Sequence, residues 1–331
     1  MLGAAAPLAA APAALAFSQQ AANPNIFAPA SLPAHEIYRL ALFVIAVTIG
    51  IFVVVGGLLA FAIIKFRRRK GDNGREPAQV YGSTQIELAW TVLPVLIVVV
   101  LFLTTARVIH QVEDAKAPAD AVHVTVVGHQ FWWEFRYPQY GVVTANELHV
   151  PVGGPTYLTL LSADTDHAFW VPQLAGKTDL IPNRANHTWI EPERTGVYLG
   201  QCALFCGVQH AHMLLRVSVQ SRAAFAAWIR RQHKPAAKDP AVAAGRHVFE
   251  TTACVNCHTI RGTIADGRFG PDLTHLMSRK TLGAGVLPNT PKNLRLWIEN
   301  PAAFKPGCEM PAMNLNPKEL DELVSYLETL R

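Results

Sequence analysis

The chain has 331 residues, 50% of them hydrophobic and 16% charged, with a net charge of +5. That length holds more than one domain, and the hydrophobic share places part of the chain in a membrane. The positive excess falls largely within one short segment, residues 65–75, so it gives no reason to propose nucleic-acid binding.

Residues 1–34 are rich in Ala and Pro, with an apolar run at 8–16 that ends in Ala14-Leu-Ala16. The segment reads as a signal peptide followed by an exported tail, although no Lys or Arg supplies a basic start. Residues 40–64 and 88–106 then carry no charged side chain. Each is long enough to cross a hydrocarbon core of about 30 Å at about 1.5 Å per residue. Between them lie Lys65, Arg67, Arg68, Arg69, Lys70 and Arg75. The positive-inside rule puts this loop in the cytoplasm and both termini outside, which makes residues 35–109 a two-helix transmembrane hairpin. Pro94 in the second span is tolerable, because neighbouring helices can satisfy the freed backbone groups.

Residues 110–229 change to short alternating segments, at 122–127, 131–137, 147–150, 157–161, 187–190, 196–200 and 213–219, separated by Gly, Pro, Asn and Asp. That rhythm predicts an antiparallel sandwich or barrel. Near its end stand Cys202, Cys206, His210 and Met213. Thiolate, imidazole and thioether are ligands that copper prefers. Two thiolates four positions apart can bridge a pair of ions, whereas a mononuclear blue-copper site uses a single Cys. The candidate second histidine is His167, and the backbone carbonyl of Leu204 is the candidate sixth contact. A disulfide between Cys202 and Cys206 is the plain alternative for an exported domain, but it leaves His210 and Met213 unexplained. Zinc is another, and it rarely recruits methionine.

Residues 230–240 are polar, basic and twice interrupted by proline, so they read as a linker. The segment 241–331 carries Cys254-Val-Asn-Cys257-His258. A CxxC pair alone fits a redox dithiol, zinc or haem. The adjoining histidine, with no second CxxC in the chain, points to covalent haem attachment through two thioethers with His258 on the iron. Met310 and Met313 are the candidate distal ligands, each with a plain reading as a core methionine. Cys308 has no assigned role.

Three stretches carry a family resemblance. Gly200-Gln-Cys-Ala-Leu-Phe-Cys-Gly-Val-Gln-His-Ala-His-Met213 resembles the CuA loop of cytochrome c oxidase subunit 2. Asp164 to Trp170 with Val171-Pro172 resembles that family's first-histidine segment, continued by Lys177, Asp179, Pro182 and Arg184. Gly128-His-Gln-Phe-Trp-Trp-Glu-Phe135 is similar to its aromatic strand. The C-terminal part resembles a class I cytochrome c, through Gly245, Phe249, Gly270-Pro-Asp-Leu273 and the apolar spacing of 320–330; its Met-Pro pair favours Met310 as distal ligand.

The resemblance implies a cupredoxin-like Greek-key β-barrel with a dinuclear CuA centre on His167, Cys202, Leu204, Cys206, His210 and Met213. It also implies an all-α cytochrome c domain holding one haem c on Cys254, Cys257, His258 and Met310. The chain is then an electron-transfer subunit in a bacterial cell membrane, with both cofactor domains on the outer side. Its partners are oxidase subunit 1, which reduces dioxygen to water and pumps protons, the other oxidase subunits, and an external donor such as a soluble cytochrome c or a quinol-oxidising complex. No set of intramembrane histidines stands in this chain, so the dioxygen-reducing site lies elsewhere. Two positions depart from the family: Leu204 replaces a glutamate that also binds magnesium, and Phe131 replaces a tryptophan through which soluble cytochrome c delivers electrons. Glu87 matches a residue at the mouth of a proton pathway, and otherwise reads as a carboxylate favoured at a helix N-terminus. The competing classes are a membrane-anchored carrier serving another acceptor, and a CuA-bearing reductase, which needs a histidine-rich second copper cluster.

Overall fold

The computed structural model describes residues 24–68, 76, 79–113 and 121–331. The apolar run at 8–16 and the basic residues Arg69, Lys70 and Arg75 lie outside the described residues. Two long helices open the structure, α1 (Leu32–Lys65) and α2 (Thr84–Glu113), both long and apolar enough to cross a membrane. Pro33 starts α1, at a position whose missing N–H would have had no helical partner. Each helix runs past its charge-free stretch: α1 takes in His35, Glu36 and Arg39, and α2 continues through Arg107. The overhang of α2 anchors the next domain, since the carbonyl of Val112 accepts the Trp189 indole N–H at 2.6 Å.

The middle domain is a pair of five-stranded sheets. One contains β1 (Val122–His129), β2 (Trp132–Tyr137), β3 (Val142–Ala145), β5 (Thr156–Ser162) and β8 (Asn186–Ile190), in the order β3-β2-β1-β5-β8. The other contains β4 (Glu147–Pro151), β6 (His167–Trp170), β7 (Thr178–Leu180), β9 (Gly196–Cys202) and β10 (Leu214–Gln220), in the order β4-β10-β9-β6-β7. Alternation sets the faces: Trp133, Phe135 and Tyr137 are fully buried in the core, while Trp132, Glu134 and Arg136 point away from it. The architecture is the expected cupredoxin-like one, with one difference from an all-antiparallel sandwich. β1–β5 and β4–β10 pair in parallel, because the chain crosses between sheets before it returns beside those strands.

His149 on β4 lies flat against Trp228, ring centroids 4.3 Å apart and 11° from parallel, and burial pushes its pKa down to about 4, aided by Arg231 and Arg279. Its unfolded form takes up a proton near pH 6.5, so the folded chain binds fewer protons between those values. The stability contribution is therefore complete above about pH 6.5 and is lost as pH falls toward 4, by up to about 3 kcal/mol. His149→Phe is expected to flatten the fall in melting temperature between pH 7 and 5; a parallel fall in both proteins would refute this role.

Helix α3 (Arg222–Gln232) follows, capped by Ser221, whose hydroxyl accepts from Ala224 N at 3.2 Å. Phe225, Trp228 and Ile229 bury its inner face. The helix absorbs Arg230, Arg231 and Gln232, which the sequence placed in the linker, and the non-helical connection begins at His233. Gln232 is buried, and its carbonyl accepts from the Arg261 guanidinium.

The C-terminal domain is helical: α4 (Ala243–Thr251), α5 (Cys254–Cys257), α6 (Pro291–Glu299), α7 (Pro301–Phe304) and α8 (Pro317–Leu327), with a small hairpin of β11 (Thr281–Leu282) and β12 (Leu287–Pro288). Asn316 and Glu319 form a reciprocal capping box at the start of α8. α4 and α8 cross closely, with Phe249 and Tyr326 rings 6.2 Å apart in the core. Gly245 permits the crossing, since a Cβ there would fall inside the van der Waals shell of the Glu322 carbonyl oxygen.

Candidate metal and haem sites

The loop after β9 carries its donors back onto β6. Pairing of Phe169 with Cys202 places His167, two residues earlier on β6, beside the first cysteine. Cys202 Sγ lies 4.0 Å from His167 Nδ1, 3.9 Å from Cys206 Sγ and 3.2 Å from the Leu204 carbonyl oxygen. Cys206 Sγ in turn lies 3.8 Å from His210 Nδ1 and 3.8 Å from Met213 Sδ. All six expected groups converge, the two sulfurs are not bonded to each other, and His167, Cys202, Cys206 and Met213 are buried.

Electrostatics explain why this pocket suits a cation. The Cys206 thiol donates toward Cys202, which together with His167 outweighs burial and makes Cys202 the acidic member of the pair. The same hydrogen bond and burial push Cys206 up, so the pair resists losing both protons without added positive charge. A metal that supplies that charge ionises both. Burial opposes protonation of His167, but Asp164 and Cys202 outweigh it and raise its pKa to about 8. Two soft sulfurs, two imidazoles, a thioether and a carbonyl fit copper better than an oxygen-loving ion.

Sequence reasoning missed the groups that hold these donors. Asp164 Oδ1 lies 2.7 Å from His167 Nε2, the carboxylate–histidine arrangement that turns the opposite ring nitrogen toward a metal. Gln130 joins the two ligand loops: its N–H donates to Asp164 Oδ2 at 2.6 Å, and its side-chain amide donates to the Cys206 carbonyl at 2.5 Å. Trp133 Nε1 donates to the Met213 carbonyl at 3.3 Å. Gly128 lets the His167 ring lie close, since a Cβ there would sit 2.8 Å from His167 Cδ2. The spacing of Asp164, three residues before His167 on one turn, was the available signal. Asp164→Asn turns one acceptor oxygen into a donor and removes the charge. It is expected to weaken copper binding by about 10–100-fold, read by competition with a chelator of known affinity; unchanged affinity would refute the assignment.

In the C-terminal domain, Cys254 and Cys257 stand at the two ends of α5, both half-buried, with His258 next. His258 Nδ1 lies 2.8 Å from the Pro271 carbonyl, which must accept, so the proton sits on Nδ1 and Nε2 keeps its lone pair. Burial, aided by the nearby Arg279, pushes the pKa of this imidazole down. Arg279 is itself buried, and its Nε has no hydrogen-bond partner among the described residues, leaving a donor for an anionic group such as a porphyrin carboxylate. These residues fit a c-type haem. Met310 and Met313, both half-buried, lie on the coil between α7 and α8, and the Met310 carbonyl accepts from the Cys308 thiol at 3.7 Å. Glu87 lies in the first turn of α2, exposed. At about 1.5 Å per residue it is roughly 37 Å along the helix from Val112, far from either cluster.

Residues 142–220 match the family model for the cytochrome c oxidase subunit II periplasmic domain, and residues 19–108 match that for its transmembrane domain. A cytochrome c oxidase subunit 2 of Alkalihalophilus pseudofirmus is 33% identical over 310 residues, 92% of this chain and 90% of that protein. The chain belongs to the cytochrome c oxidase subunit 2 family. A second subunit 2, from a Bacillus species (strain PS3), is 34% identical over 80% of each chain. Residues 242–331 match the cytochrome c family, so this subunit 2 carries a fused cytochrome c domain. The solved periplasmic domain of subunit II of a Bradyrhizobium japonicum cytochrome oxidase is 29% identical, with a TM-score of 0.34, over 35% of this chain and 96% of that one. By these family matches the chain is a membrane-spanning electron-transfer subunit of a cytochrome c oxidase, with a copper-type and a haem-type domain.

Proposed function

We propose that this subunit 2 accepts single electrons at its own covalently bound haem c and passes them through a dinuclear CuA centre to subunit 1. The observation that carries the reading is the convergence of His167, Cys202, Leu204, Cys206, His210 and Met213 on one pair of sulfurs. When bound, the copper pair supplies a one-electron relay that changes charge with little rearrangement. The protein's part is to hold that relay rigid and dry. His167, Cys202, Cys206 and Met213 exclude water, Asp164 fixes the His167 ring, and Gln130 ties the histidine loop to the cysteine loop. Cys254, Cys257 and His258 would hold the haem, with Met310 as the further ligand.

Leu204 keeps the carbonyl contact and offers no side chain to magnesium. Phe205, 77% exposed with its ring 5.9 Å from that of His210, suits the docking of subunit 1 against the copper loop. In this reading Glu87, in the first turn of α2, lies at the cytoplasmic side of a bacterial cell membrane and faces a proton pathway of subunit 1. The external donor is a soluble cytochrome c or a quinol-oxidising complex.

Optical and electron paramagnetic resonance spectra of the purified full chain test the cofactors. A c-type haem band together with a mixed-valence dinuclear copper signal is expected, and a single-copper signal or no copper uptake would overturn the reading. Met213→Leu should perturb the copper signal and spare the haem, with Met310→Leu doing the reverse. Isolation with a large polytopic haem subunit separates the oxidase from a carrier that serves another acceptor.

A further inference from the structure

Two buried ionisable side chains cross between the copper domain and the cytochrome domain, in opposite directions. Lys305, 3% exposed at the end of α7, sets its ammonium against three backbone carbonyls: Phe131 at 2.7 Å, His212 at 2.9 Å and Gly283 at 2.9 Å. An ammonium has three N–H donors and no acceptor, so this socket saturates it. Phe131 and His212 belong to the copper domain, and His212 stands in the ligand loop between His210 and Met213. Glu147, 5% exposed at the start of β4, reaches the other way, accepting from Lys280 N at 2.6 Å and Thr281 N at 3.1 Å. Between the two, Leu214 N donates to the Ala284 carbonyl at 3.1 Å, and the Gln209 side chain donates to the Pro306 carbonyl at 2.7 Å.

These contacts select a register more than they add affinity. A buried charge is tolerated only when its hydrogen bonds are complete, and any sliding of one domain over the other would strand Lys305 or Glu147 without them. The segment that makes the contact is also the one that leads to Met310: Lys305 and Pro306 touch the copper loop, and Met310 follows within the same coil. Gln209, which holds Pro306, is bonded directly to His210.

We propose that Lys305 is a positioning residue for internal electron transfer: it fixes the Met310 loop against the 202–213 loop in one register, with Glu147 as the second pin. The proposal rests on the reading of the two sites as haem and dinuclear copper. The transfer it supports moves one electron, oxidising the iron from ferrous to ferric and reducing the copper pair by one, with no bond made or broken.

The test uses the purified oxidase complex with Lys305→Met, which keeps an unbranched apolar stem and removes all three donors. Glu147→Leu attacks the same interface from the other domain without altering either ligand loop. Two quantities are read: hydrogen exchange at the amides of Leu214, Lys280 and Thr281, and the rate of haem-to-copper transfer after flash photoreduction. Both variants are expected to keep the c-type band and the dinuclear copper signal, to exchange faster at those amides, and to transfer electrons slower by about tenfold or more. Wild-type exchange, or faster exchange with an unchanged transfer rate, overturns the proposal in either variant, and Glu147→Leu decides it alone where Lys305→Met does not assemble. A wild-type chain that lacks one of the two spectroscopic signals overturns the reading of the sites instead.

Discussion

Cys206→Ser is expected to abolish the mixed-valence dinuclear copper signal while leaving the c-type haem band in place. The sulfur it removes is the one on which the other donors meet, 3.9 Å from Cys202 Sγ and 3.8 Å from both His210 Nδ1 and Met213 Sδ. A serine hydroxyl is shorter, harder and protonated at neutral pH, so it replaces neither the bridge nor the negative charge. His167 and Cys202 remain side by side, a set able to hold at most one ion. The Cys206 carbonyl still accepts from Gln130, so the loop keeps its backbone position and the loss is chemical more than structural. The copper-to-haem ratio from elemental analysis should fall by half or more relative to the unsubstituted chain. Retention of that ratio together with the dinuclear signal would remove Cys206 from the site.

The copper loop was readable because its ligands are neighbours in sequence. Cys202, Cys206, His210 and Met213 fall within one connection between β9 and β10, where spacing reports chemistry directly. His167 was legible only as a residue type within the segment from Asp164 to Trp170. Its strand, β6, is four residues long, too short for alternation to declare it, and what brings it to Cys202 is sheet pairing across the chain. β3 and β7 escaped notice for the same reason. The parallel pairings of β1 with β5 and of β4 with β10 have no local signature at all.

Charge explains two other differences. Arg230 and Arg231 look like linker residues, yet Phe225, Trp228 and Ile229 just before them repeat at helical spacing, and that apolar stripe carries the helix to Gln232. Lys305 and Glu147 carry no sign in the sequence of their burial. Their burial arises where two domains meet, and each finds partners among backbone groups of the other domain, which leave no trace in residue identity.

Gly245→Val is expected to destabilise the cytochrome domain selectively, with the copper domain unchanged. The added Cβ would meet the backbone carbonyl of Glu322 and approach Tyr326 Cβ to 2.9 Å, and neither atom is the free end of a flexible side chain. Relief therefore requires α4 to move off α8, opening the core cluster that holds Phe249, Leu320, Leu323 and Tyr326. Overpacking that side chains can absorb costs about 1–3 kcal/mol, and a clash with helix backbone lies at or above the top of that range. For a domain of this size about 3 kcal/mol lowers the melting temperature by roughly 12 °C or more. The haem absorbance transition should move by that amount, and the copper signal should persist beyond it. The smaller Gly245→Ala places only the Cβ and should fall between the two, because the clash is set by that first atom and worsened by the branches beyond it. A haem transition unmoved by valine would mean that the α4–α8 crossing is not what holds the haem segment in place.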